Sequence, residues 1–244
     1  MHRVAQKMTM TAEEEEQNMT MTPEDEETKI MILEEIKRLI SEEEAMLLHV
    51  ALVGSRGKGI ASKESNYDLI VVVKHPLKYY DLDHVKASRK FERQMETGHL
   101  VEGTIIDLRQ MYEYALDTHI QAHEAFFGKI LYTTPEADDA KMVFRKAFVP
   151  LVLREFIQIK LDGYISEMNL KEYKILTTTT TYKIAMECVY LAVQINYMNM
   201  RDRNPPPLDL LELMSALSQF DDDGGDDDDY QDDKYDCVYK EDKN

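Results

Sequence analysis

Residues 54–73 read GSRGKGIASKESNYDLIVVV. After Asn66-Tyr67-Asp68 the stretch is purely apolar and rich in β-branched residues, which predicts a central strand buried on both faces. Ahead of it stands a loop with glycine at Gly54, Gly57 and Gly59, interleaved with Ser55, Arg56 and Lys58. Glycines let backbone N–H groups approach a phosphate closely, and Ser55 adds a hydroxyl donor. Two common phosphate motifs fail here. A Walker A loop needs Lys-Ser/Thr directly after its last glycine, but Ile60-Ala61 follow Gly59. A dinucleotide fingerprint from Gly57 needs glycine or alanine where Ser62 stands. Strand alternation places Asn66 and Asp68 on one face and Tyr67 on the other.

Working outward, Ile32, Leu33, Ile36, Leu39 and Ile40 have helical spacing and predict an amphipathic helix over 28–48. HVALVGS (49–55) reads as a strand entering the glycine loop. Residues 82–97 read as a charged helix, and 101–111 as a strand passing into a helix that runs to about 127. Residues 131–135 read as a short break. Helical patterns follow from 138, including one over 171–198 and a short one over 208–217, with Pro205-Pro206-Pro207 ending the former. The expected fold is therefore a mixed-sheet α/β domain over 28–137, then an all-α helical domain over 138–220.

The formal charge is −18, but it sits at the ends. Residues 1–27 hold 8 acids against 2 bases, and residues 221–244 hold 12 against 3, so the middle is nearly neutral. Both ends read as disordered acidic segments. The Asp-rich tail is a solubilising extension, a divalent-ion sponge, or a polyanion suited to a basic protein partner. The longest aliphatic run, Leu69–Val73, is far too short to span a membrane, and no secretory signal is visible. Cys188 and Cys237 cannot make a disulfide framework or a zinc site alone. A cytoplasmic setting is expected. The near-neutral middle disfavours a long nucleic acid as ligand.

A second acid, Asp107, ends the apolar stretch Ile105-Ile106. If its strand neighbours that of Asp68, the two carboxylates could converge near the glycine loop. Magnesium takes oxygen ligands from one or two carboxylates plus phosphate, and two metals can stabilise attacking and leaving oxygens together. Gly54-Ser55, the spacing to Asn66-Tyr67-Asp68, and Asp107-Leu108-Arg109 resemble the polymerase-β-type nucleotidyltransferase superfamily. The fuller pattern, with Glu124 in the following helix and a later helix over 174–186, is similar to its RNA-repair-associated group. The resemblance covers about residues 48–217 and is sharpest over 54–68.

That resemblance implies transfer of a nucleoside monophosphate from an NTP to a hydroxyl, with Mg²⁺ or Mn²⁺ as cofactor. The acceptor is an RNA end, a protein or a small molecule. Gly54 and Ser55 would hold the triphosphate, with Arg56, Lys58, Lys174 and Lys183 as further nucleotide-binding candidates. Asp68, Asp107 and Asn66 would be the catalytic and metal positions. The family has Asp where Asn66 stands, and a His and an Arg one turn apart where this chain offers Thr180 and Lys183. An amide can ligate a cation but carries no charge, which weakens metal binding and the field at the developing charge. Asn66 thus leaves three readings: a catalytically silent module acting by nucleotide or partner binding, an enzyme that tolerates the amide, or an Asp→Asn change that traps a complex. His119 and His123 have metal-compatible spacing but no third ligand. Tyr182, Tyr190 and Tyr197 read as core or as base-stacking groups.

Overall fold

The computed structural model describes residues 23–80, 88–95, 98–171, 178–200 and 204–222. The run Leu69–Val73 is buried throughout, no residue of it more than 3% exposed, because strand β2 (Tyr67–Lys74) lies in the middle of a five-stranded sheet. Its neighbours are β1 (Met46–Val53), antiparallel, and β4 (Leu100–Asp107), parallel. The edges are β3 (Ser88–Gln94), beside β4, and β5 (Lys129–Thr133), beside β1. The order is β3-β4-β2-β1-β5.

Alternation along β2 sorts its side chains between two cores. Leu69, Val71 and Val73 join Val50, Leu52, Val101 and Ile105 against Ile32, Ile36 and Ile40 of helix α1 (Pro23–Ser41). Each of those isoleucines contributes about 1.5–3 kcal/mol by leaving water. Ile70 and Val72 join Ala51, Val53 and Ile106 on the other face, under the remaining helices. These are α3 (Leu108–Leu116), α4 (Ile120–Phe127), α5 (Pro135–Ala147), α6 (Pro150–Lys171), α7 (Thr178–Met200) and α8 (Leu210–Asp222). A single helical turn, α2 (Gly54–Gly57), follows β1. A mixed α/β half is thus followed by helices, as expected.

Several element assignments differ. Helix α1 begins at Pro23, inside the segment expected to be disordered, and ends at Ser41; Met46–Leu48 belong to β1. The charged stretch read as a helix over 82–97 contains strand β3, whose only buried side chain is Phe91. Charged residues around one apolar anchor suit an edge strand, where they discourage pairing with another chain. The break at 131–135 contains most of β5, and Pro135 then opens α5. Of the helix expected over 171–198, the described part is α7 from Thr178 onward; Lys171 ends α6, and residues 172–177 fall outside the described residues. The expectations for residues 1–22 and 223–244 fall outside the described residues.

Candidate active site

Strand β1 delivers the chain to Gly54, whose φ of +59° is left-handed. A Cβ there would also collide with the Asp68 carboxylate, so the position excludes other residues on two counts. The turn that follows is closed by Lys58 N–H donating to the Gly54 carbonyl (3.1 Å) and Ile60 N–H to the Ser55 carbonyl (2.9 Å). Val53 pairs with Asp68 across β1 and β2, which sets the glycine turn beside the start of β2. Ser55 is buried there.

The parallel register of β2 and β4 then decides which acid Asp68 meets. Asp68 pairs with Glu102, and Val73 with Asp107. Asp68 and Glu102 point to the face of Ile70, Val72 and Ile106, toward the helices. The Asn66 side-chain N–H donates to Glu102 Oε1 at 3.0 Å. One strand further out Glu92 pairs with Glu102, so carboxylates stand in register on three adjacent strands. Burial, and next the Glu102 charge, push the Asp68 carboxyl up to about 6; Lys183 and Lys58 oppose part of that rise. Lys183, on α7, is solvent-exposed and near enough to act on Asp68.

The expected meeting of Asp68 and Asp107 does not occur. Five residues separate their levels in the register, roughly 16 Å at strand rise, and Asp107 belongs to the opposite face. There it caps α3, accepting from Arg109 N–H at 2.9 Å, and receives His75 Nδ1 at 2.8 Å and the Tyr80 hydroxyl at 2.9 Å. Asp107 is a helix cap held by a hydrogen-bonded cluster, not a partner of Asp68.

Two basic candidates are also committed elsewhere. Lys58 is 3% exposed; its ammonium forms a 2.7 Å ion pair with Glu187 of α7 and lies over the Tyr190 ring. Arg56 braces its own loop, donating to the Ser65 and Lys63 carbonyls and stacking on Tyr67 at 4.1 Å. Lys174 falls outside the described residues. Below the loop Lys160 pairs with Glu124 at 3.2 Å. Burial alone would raise the Glu124 carboxyl, but Lys160 and Lys58 hold it below its ordinary value. His119 caps α4, accepting from Gln121 N–H, and buried His123 donates to the Pro206 carbonyl at 2.7 Å, so neither histidine is placed as a metal ligand. Tyr190 and Tyr197 are core residues; Tyr182 is exposed.

Glu102 is the residue that sequence reasoning missed. The available signal was an acid between Val101 and Gly103 at the mouth of an apolar strand, the same pattern that marked Asp68. Gly103 completes it, since a Cβ there would meet the Leu69 backbone carbonyl.

The donor set suits a divalent cation that arrives with phosphate. Two carboxylates and an amide oxygen are hard oxygen donors, and the side-chain-free Gly54 lets the Asp68 carboxylate lie directly against the turn. Among the described residues no three His, Cys, Asp or Glu side chains stand together as a metal site, so phosphate oxygens or Asn66 would complete the shell. No described helix is long and apolar enough to cross a membrane.

Comparison with known proteins agrees with the motif reading. No curated protein matches the chain. A crystal structure of a nucleotidyltransferase-like protein from Exiguobacterium sibiricum 255-15 is similar at 12% identity and a TM-score of 0.31. The match covers 76% of this chain, which spans 62% of that one. Residues 28–134, which contain the whole sheet, match the model of the RNA repair pathway DNA polymerase beta family.

Proposed function

We propose that the Gly54 turn and the Asp68–Glu102 pair, with Lys183 of α7 nearby, bind a nucleoside triphosphate with Mg²⁺ or Mn²⁺ and transfer its nucleoside monophosphate to a hydroxyl acceptor. The observation that carries this reading is the pairing of Asp68 with Glu102 on adjacent strands, beside a left-handed Gly54. In it, the Gly54–Ser55 turn holds the triphosphate through its backbone N–H groups. Lys183 reaches a phosphate oxygen. Asp68, Glu102 and the Asn66 amide oxygen would hold the cation, which would neutralise charge building on the phosphate oxygens. The acceptor oxygen attacks the α-phosphorus, the bond from that phosphorus to the β-bridging oxygen breaks, and pyrophosphate leaves. The hydroxyl proton passes to a carboxylate of the pair. RNA ends, protein side chains and small molecules are the acceptor classes to test.

A second reading is favoured by Asn66. With one fewer charge than a three-carboxylate site, these residues would bind nucleotide or a partner without transfer. Label transfer from α-³²P-labelled NTPs to RNA and lysate acceptors separates the two. The enzyme reading expects labelling that is lost in Asp68→Ala and Glu102→Gln and kept in Asp107→Ala. Nucleotide binding without labelling supports the silent module, and absence of both removes the nucleotide reading.

A further inference from the structure

We infer that Asn66 makes this a one-cation site: a single divalent ion enters with the triphosphate, and the second ion of a two-metal site has no seat. The inference rests on the nucleotide reading above. Two divalent ions about 3.5–4 Å apart repel each other, and holding both takes more carboxylate charge than holding one. Asn66 stands at the mouth of β2 on the same face as Asp68, where a further carboxylate would add the charge a second ion needs, and it is an amide. Its N–H donates to Glu102 Oε1 at 3.0 Å. One oxygen of Glu102 is therefore already engaged by an amide donor rather than left open to a second cation. The remaining carboxylates do not make up the loss. Asp107 is on the far end and opposite face of the sheet, Glu92 is a strand further from Asp68, and no described group of three such side chains forms a metal site.

Charge count agrees with the donor count. Asp68 and Glu102 supply two negative charges, and Lys183 offsets part of them. That is enough to retain one cation whose remaining ligands are phosphate oxygens and water. Without nucleotide the site should hold the ion weakly.

The test is a Mn²⁺ count by electron paramagnetic resonance on the full chain, with and without an α,β-methylene NTP analogue, each of the four bases in turn. Any Mn²⁺ held by the acidic ends is common to both conditions and drops out of the difference. The expected result is one nucleotide-dependent Mn²⁺ per chain with an uncoupled spectrum. Asn66→Asp should raise the count to two, with spin coupling between the ions. Two coupled ions in the unaltered chain would overturn the one-cation inference while leaving the nucleotide reading standing. A count of one in a folded Asn66→Asp chain would overturn the role given to Asn66. No nucleotide-dependent ion in either chain would overturn both readings. The unaltered chain's count decides the inference even if the variant fails to fold.

Discussion

Gly54 carries two constraints at one atom. An L-residue at φ +59° costs about 1–2 kcal/mol, and a Cβ would also press on Asp68. Gly54→Ala should therefore lower the melting temperature and weaken nucleotide-dependent Mn²⁺ binding by at least about tenfold, since the carboxylate must move to admit the methyl. Calorimetry and a Mn²⁺ titration check both. Lys58 carries a different one. Its ion pair with Glu187 is more than nine-tenths buried on each side, and removing one partner of such a pair costs about 3–5 kcal/mol. Lys58→Met and Glu187→Leu singly should each show a large loss in urea unfolding. The double variant should recover most of it, because no unpaired charge remains.

At the scale of elements, β2 was legible because its composition admits no other place. An apolar, β-branched run buried on both faces must be a central strand. The glycine turn and the face shared by Asn66 and Asp68 followed from alternation. Register between β2 and β4 was not legible, because nothing in either strand alone says which acid lies opposite Asp68. Asp107 was attractive for its Leu-Arg sequel, yet that sequel is the start of a capped helix. Strand β3 was misread because its charged residues carry no period that separates a solvated helix from an edge strand. Register makes opposite predictions for two acids. Asp107→Ala should cost about 0.5–2 kcal/mol through the lost cap, more if His75 and Tyr80 lose their acceptor, and leave Mn²⁺ binding intact. Glu102→Gln should abolish nucleotide-dependent Mn²⁺ binding. It should also leave the metal-free fold as stable or more so, because like charges opposite each other on β2, β4 and β3 are relieved. Thermal melts beside Mn²⁺ titrations of the two variants distinguish them.

For the molecule as a whole, the two halves are joined at the glycine loop. Lys58 binds Glu187 of α7 through its side chain, and through its carbonyl accepts from Leu210 N–H at the start of α8. Tyr190 donates to the Leu208 carbonyl at 2.8 Å and fastens the same corner. Buried histidines give this assembly an acid limit. Desolvation, above all, lowers His49 and His123 from their ordinary 6.5, so the folded state prefers them neutral. Their contribution is fully present above pH 6.5 and is lost as pH falls below it. Asp68 runs the other way. Its carboxyl, at about 6 when folded against an ordinary 3.8, adds stability at pH below 3.8 that fades as pH rises through 6. The urea midpoint should therefore fall from pH 7 to pH 5 in the metal-free chain, and Asp68→Asn should make that fall steeper.

The central claim is that Asp68 and Glu102, not Asp107, hold the cation beside the Gly54 turn. Its most direct test is anomalous diffraction from crystals grown with Mn²⁺ and a non-hydrolysable NTP. An anomalous peak is expected about 2.0–2.5 Å from carboxylate oxygens of Asp68 and Glu102, with the triphosphate over Gly54 and Ser55. A peak on Asp107, or nucleotide bound away from the glycine turn, would contradict it.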